Sequence, residues 1–206
     1  RSEAVAAVGG VPAQGMLTEA IREAFLHGVS ERIDMASIEV LSGGGWDAET
    51  DTVHATLFAV PASEVIATPE LLEECFGPVS LLVEYDDPKQ MLELADVMPG
   101  LLAAGVHGIA DEPIVAELLP RLATHAGRVL WNGWPTGVAV TWSMQHGGPF
   151  PATTTPATTS VGAAAVDRFM RPVTWQGMPQ QLLPVALRND NPWGIPRRVD
   201  GVLTLA

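Results

Sequence analysis

The chain has 206 residues with 24 acidic against 11 basic side chains, a formal net charge of −13. That length fits one domain or part of a larger one, and the acidic excess, with no Lys/Arg cluster to offset it, repels a phosphate backbone and excludes nucleic acid as a natural partner. The single cysteine, Cys75, excludes an internal disulfide framework and every thiolate metal cage.

Charged residues are 17% of the chain and hydrophobic ones 47%, against a usual charged share of about 25%. Polar surface is under-supplied, so part of it is expected to be covered. A spanning helix needs about 20 mostly apolar residues, and the apolar stretches near Leu81 and Leu101 are broken by Glu84 and His107. The expectation is a soluble, cytoplasmic protein with no membrane contact. Residues 5–15 lack the basic start and long apolar run of a signal peptide. With Arg1 in place of a methionine, they point to a cut from a longer polypeptide.

Apolar residues Leu17, Ile21, Phe25 and Val29 recur every four positions, which predicts an amphipathic helix over 17–33. Two short strands, 37–41 and 53–60, are expected next, joined by a surface loop that contains Gly43, Gly44 and Gly45. Thr68, Pro69 and Glu70 supply a capping oxygen, a harmless missing N–H and an early negative charge, so a short helix should run to about Glu73. The period then alternates: strand 79–85, helix 88–98, strand 101–107, helix 111–126, strand 128–132. This β-α-β-α-β order predicts an α/β fold with a mostly parallel sheet and flanking helices. Ligands in such sheets sit beyond the carboxyl ends of the strands, which directs attention to the segments after Glu73, His107 and Asn132. Residues 133–160 are rich in Trp, Pro, Gly and Thr. A short helix over 163–171 and an extended, proline-rich tail complete the chain.

Most catalytic signatures are missing. No glycine-rich dinucleotide turn, phosphate loop, His-Glu-x-x-His or Gly-x-Ser-x-Gly elbow is present, and the five histidines show no metal-ligand spacing, so no metal is expected. Cys75 follows Glu73 and Glu74, whose charge raises a thiol pKa, and reads as a small buried hydrophobe.

Glu73-Glu74-Cys75-Phe76-Gly77-Pro78, entering a strand, resembles the Glu-Glu-(apolar)-Phe-Gly-Pro motif of the aldehyde dehydrogenase superfamily. Ala55-Thr56-Leu57-Phe58 is similar to the Pro-Thr-(apolar)-Phe strand of that family, with Ala55 in place of the proline. Trp131-Asn132-Gly133-Trp134-Pro135-Thr136-Gly137-Val138, His146-Gly147-Gly148-Pro149-Phe150-Pro151 and Asn191-Pro192-Trp193-Gly194 resemble the branch that holds bacterial α-ketoglutaric semialdehyde dehydrogenases and NADP-dependent fatty aldehyde dehydrogenases. The likeness covers about residues 17–201.

The resemblance implies the C-terminal portion of a catalytic domain. Residues 16–162 would hold the α/β core and active-site loops, and 163–206 a C-terminal helix and tail. The nucleophilic cysteine and most of the NAD or NADP site would lie upstream, so this chain alone is expected to be inactive. By the same resemblance Glu74 would accept hydrogen bonds from the nicotinamide ribose and Phe76 would pack near the nicotinamide. His146 would tune the catalytic thiol, from a loop beyond the carboxyl end of the 128–132 strand. Trp134, Pro135, Thr136 and Phe150 would line the aldehyde entrance. The implied substrate is α-ketoglutaric semialdehyde, with a long-chain fatty aldehyde second. The implied partners are the remaining N-terminal part of the enzyme and further copies of the same subunit. The alternative class is a non-catalytic module that associates through an exposed sheet edge and its tail.

Overall fold

The structure is a computed structural model that describes residues 1–205. It opens on an unexpected helix, α1 (Ser2–Gly9), built from alanines and valines; alanine is the strongest helix former. The next helix, α2 (Glu19–Ile33), is the expected one. The Thr18 hydroxyl accepts from the Ile21 amide at 3.2 Å and caps it, and Phe25 and Val29 are buried. Leu17 precedes the cap and is exposed, so the apolar stripe begins one turn later than its spacing predicts.

Strand β1 (Glu39–Ser42) leads into a small hairpin, β2 (Trp46–Asp47) and β3 (Thr52–Val53), within the stretch expected to be loop. The Asp47 carboxylate closes its turn by accepting from the amides of Glu49 and Thr50. The Arg22 guanidinium lies 4.9 Å from the Trp46 ring centre and pairs with Asp51. The strand expected over 53–60 is thereby divided, its main part being β4 (Thr56–Pro61). Helix α3 (Ala62–Ala67) follows without a sequence signal that announced it. The predicted helix after Thr68 is a single 3-10 turn, Pro69–Leu72, and the Thr68 side chain makes no capping bond.

Beyond it the expected alternation holds: β5 (Val79–Glu84), α4 (Lys89–Val97), β6 (Ala104–Val106), α5 (Pro113–His125) and β7 (Val129–Trp131). The sheet does not form one continuous ladder. β4 lies between antiparallel β1 and parallel β5, while parallel β6 and β7 pair with each other alone. Each group carries its own core. Phe25, Val53, Phe58 and Val65 centre the first, and Ala95, Val106, Leu118 and Leu122 the second. The strands β5 and β6, joined through α4, therefore do not pair with each other.

Residues 133–160 have little regular structure but are tied down. Thr159 is buried, its hydroxyl accepting from the His146 amide at 2.8 Å and donating to the Val161 carbonyl at 2.6 Å. The Ser160 amide and hydroxyl both donate to the His146 carbonyl. The helix expected over 163–171 is a 3-10 helix, Ala163–Phe169.

Residues 1–168 form one compact unit and residues 169–206 a second. The second holds two single-turn 3-10 helices and an unexpected hairpin, β8 (Arg197–Val199) and β9 (Val202–Thr204). Asp200 and Gly201 make its turn, both at positive φ (47° and 83°). That is the Asp-Gly pair favoured in tight hairpins, because two successive left-handed residues match the strand twist. Among the described residues no helix is long and apolar enough to cross a membrane.

Phe58 is completely buried in the first core. Phe58→Ala should lower the unfolding free energy of the chain by about 3–5 kcal/mol in urea titrations. Trp142→Ala, at a position 79% exposed, should change it by less than about 0.5 kcal/mol.

Candidate functional site

After the 3-10 turn the chain enters an extended segment, beginning with Glu73 at φ −61° and ψ 141°. Side chains alternate across extended backbone, and here the alternation separates two jobs. Cys75 and Gly77 turn to α2, where Cys75 packs against the core that contains Phe25. A Cβ on Gly77 would overlap the Phe25 ring. Glu74 and Phe76 turn away and are exposed, Phe76 by 66%. Glu73 gives its carbonyl to Arg32, whose Nη2 donates to it at 2.8 Å while Nη1 donates to the Gly28 carbonyl at 3.0 Å.

Two adjoining clefts meet at Glu74. The smaller, about 610 Å³, is lined by Arg32, Phe58, Cys75 and Phe76 among others. The larger, about 1050 Å³, joins Glu70, Glu73 and Glu74 to Arg128, Thr136 and His146. Three acidic residues thus line the same cleft as an arginine and a histidine.

The position of His146 corrects the expectation drawn from strand polarity. Its loop lies at the amino ends of β6 and β7, beside Leu101 and Arg128, and not beyond their carboxyl ends. Two glycines cause this. Side chains on Gly100 and Gly127 would overlap the carbonyls of Pro149 and Gly147, so only bare backbone lets residues 147–150 approach the strand entrances. Pro135 and Thr136 reach the same end because the chain doubles back after β7, and Arg128 Nη2 donates to the Thr136 carbonyl at 3.2 Å.

The structure therefore gathers Glu74, Pro135, Thr136 and His146 in one cleft and sets Phe76 beside it in the other. Trp134 and Phe150 are not gathered; they are 77% and 76% exposed, and the Trp134 ring lies 5.1 Å from that of His107. Two arginines that sequence reasoning passed over belong to the site. Arg32 reads as an ordinary basic residue in the last turn of a helix, and Arg128 as the polar start of a strand. No spacing rule distinguishes either.

The sequence profile of the aldehyde dehydrogenase family matches residues 13–171. The chain belongs to this family. It is 43% identical over 192 residues to α-ketoglutaric semialdehyde dehydrogenase 2 of Azospirillum brasilense, covering 92% of this chain and 36% of that protein. It is 39% identical over 195 residues to α-ketoglutaric semialdehyde dehydrogenase of Acinetobacter baylyi, covering 93% and 37%. The chain thus spans a little over a third of the length of the curated relatives it matches. Among solved structures it superposes on Delta-pyrroline-5-carboxylate dehydrogenase from Mycobacterium tuberculosis bound with NAD, with a TM-score of 0.52, 25% identity, and coverage of 70% of this chain and 26% of the other. The α/β architecture is that of the family.

Within this family member the surroundings of Cys75 favour its neutral thiol. Burial pushes its thiol up, opposed by the neighbouring Arg32, and its Sγ contacts the Phe25 carbonyl at 3.8 Å. A thiol raised in the folded state contributes stability in full below the ordinary thiol range, about pH 8.5. That contribution is lost as pH rises through the higher folded value. Iodoacetamide should therefore modify Cys75 more slowly than free cysteine near neutral pH. Urea melts between pH 7 and 10 should also lose more stability in the parent chain than in Cys75→Ala.

Proposed function

We propose that this chain is the C-terminal part of the catalytic domain of an NAD(P)+-dependent enzyme that oxidises α-ketoglutaric semialdehyde to the corresponding dicarboxylic acid. The observation that carries the reading is the Glu74 carboxylate. It stands where the two clefts meet, on an extended segment tied to α2, and no described residue donates a hydrogen bond to it. An ionised carboxylate only accepts, with room for two neighbouring O–H donors, so its unused capacity fits the cis-diol of a nicotinamide ribose. The names of the two matched relatives support the substrate, and the NAD-bound structural neighbour supports the cofactor class.

Bound there, the nicotinamide would supply the hydride acceptor. The residues of this chain orient and enclose. Glu74 holds the ribose, and Phe76 beside it offers an apolar face to the ring. Pro135 and Thr136 wall the aldehyde side, while Trp134 and Phe150, exposed and outside this cleft in the chain itself, would line the entrance once the upstream part is in place. His146 lines the larger cleft, and with the nucleophilic thiol of the upstream part beside it, its imidazole would favour the thiolate as a cation or hydrogen-bond partner. The exposed Trp142, Phe169 and Leu203 support cover by the upstream part and by further copies of the subunit. The lone unpaired Cys75 supports a reducing, cytoplasmic setting.

In the complete enzyme Glu74→Gln should raise the cofactor KM roughly 5- to 150-fold, the range set by loss of charge-assisted hydrogen bonds, and leave the aldehyde KM nearly unchanged. Steady-state kinetics with the cofactor varied decide it; an unchanged cofactor KM removes the reading. His146→Asn should slow alkylation of the catalytic thiol near neutral pH and move the midpoint of its pH profile upward, with cofactor affinity kept. Overlaid profiles would return His146 to a purely structural role.

A further inference from the structure

We infer that Arg32 is the positioning residue for the cofactor carboxylate, fixing Glu74 by pinning its segment to α2; the inference rests on the proposed role of Glu74. The segment 73–77 has no ladder partner of its own and begins only after the 3-10 turn ends. What holds it are three side-by-side contacts with one face of α2. At its start, Arg32 bridges the Gly28 and Glu73 carbonyls at 3.0 and 2.8 Å. At its middle, Cys75 fits the notch left by Gly28, where a Cβ would come within 2.8 Å of Sγ. At its end, Gly77 lies on the Phe25 ring. Phe25, Gly28 and Arg32 stand three and four residues apart, which places them on one helix face.

Of the three contacts, the first is the strongly directional one; the Cys75 thiol reaches the Phe25 carbonyl only at 3.8 Å. Packing at Cys75 and Gly77 resists displacement but not rotation of the peptide that precedes Glu74. A planar guanidinium with two donors committed to two carbonyls sets the orientation of that peptide, and hence the side from which Glu74 enters the cleft. The location is chemically consistent. Arg32 sits in the last turn of α2, where a cation is favoured by the helix dipole, and it lines the smaller of the two clefts that meet at Glu74. Both of its terminal nitrogens are already committed to carbonyls, so it acts through Glu74 and not on the ribose.

The test is a double-mutant cycle in the complete enzyme: parent, Arg32→Ala, Glu74→Gln and the pair, with cofactor Kd from fluorescence titration and Cys75 accessibility from peptide-resolved iodoacetamide labelling. Arg32→Ala should raise the cofactor Kd about tenfold, in keeping with the loss of a charged hydrogen-bond donor, and should speed labelling of Cys75. Added to Glu74→Gln it should raise the Kd less than about twofold further, because the group it positions is already gone. Arg32→Lys, which keeps the charge and reaches one carbonyl, should fall between, and it decides the case if Arg32→Ala does not fold. A Kd unchanged in Arg32→Lys and Arg32→Ala while Glu74→Gln weakens binding overturns the inference and leaves the proposed function standing. Equal effects of Arg32→Ala in both backgrounds also overturn it, since they mark a general loss of structure. No effect of Glu74→Gln on the cofactor removes the reading on which the inference rests.

Discussion

Backbone against backbone is the constraint on which the larger cleft depends. The carbonyls of Gly147, Pro149 and Phe150 lie so near Gly100 and Gly127 that any side chain there would occupy the same space. The Leu101 carbonyl accepts from the Gly127 amide at 3.1 Å, and the Leu101 amide donates to His125, so the two glycines stand at the joined entrances of β6 and β7. The 146–150 loop is thus seated on the paired entrances of β6 and β7. Its other end is held by Thr159 and Ser160 on the His146 backbone. A side chain mounted between two such anchors loses little entropy when a ligand arrives, which is the physical meaning of a preorganised site.

The order of strands and helices from Val79 to Trp131 is legible in the sequence because the apolar period changes from two to about four and back. Three features escape for separate reasons. α3 is six residues long, too short for a periodic signal, and is held by burial of Val65 and not by propensity. The hairpin of β2 and β3 is held by Arg22 on Asp51 and Trp46, contacts between positions far apart in sequence. The break between β5 and β6 is invisible in a pattern that records elements and not their neighbours. The turn at Asp200-Gly201 is different: its dipeptide signal is present, but three-residue strands with exposed side chains give no alternation to accompany it.

The candidate site divides in the same way. Glu74, Phe76 and His146 stand out through motifs, and motifs are short and local. Which end of the strands His146 occupies is set by glycines about 20 and 45 residues earlier, so strand polarity alone predicts the wrong end. Trp134 and Phe150 are conspicuous by residue type but lie at the carboxyl end and on the open side of the loop, exposed in this chain. Arg32 is inconspicuous in sequence, yet it ties the carboxylate-bearing segment to the first core.

Cys75 shows why proximity to a site is a poor guide to chemistry. It stands between Glu74 and Phe76, the two side chains assigned to the cofactor, and it is the only thiol in the chain. Extended backbone, however, sends adjacent side chains to opposite sides, so the alternation that presents Glu74 and Phe76 outward must turn Cys75 inward. There the thiol meets Gly28, Phe25 and a core that favours its neutral form. Exchanging its place with either neighbour would demand a one-residue slip, and that slip would bury a carboxylate at the Gly28 notch and expose the core-facing side. The cost of an unpaired buried carboxylate far exceeds that of a buried thiol. The segment therefore has a single register, and in that register the thiol is structural.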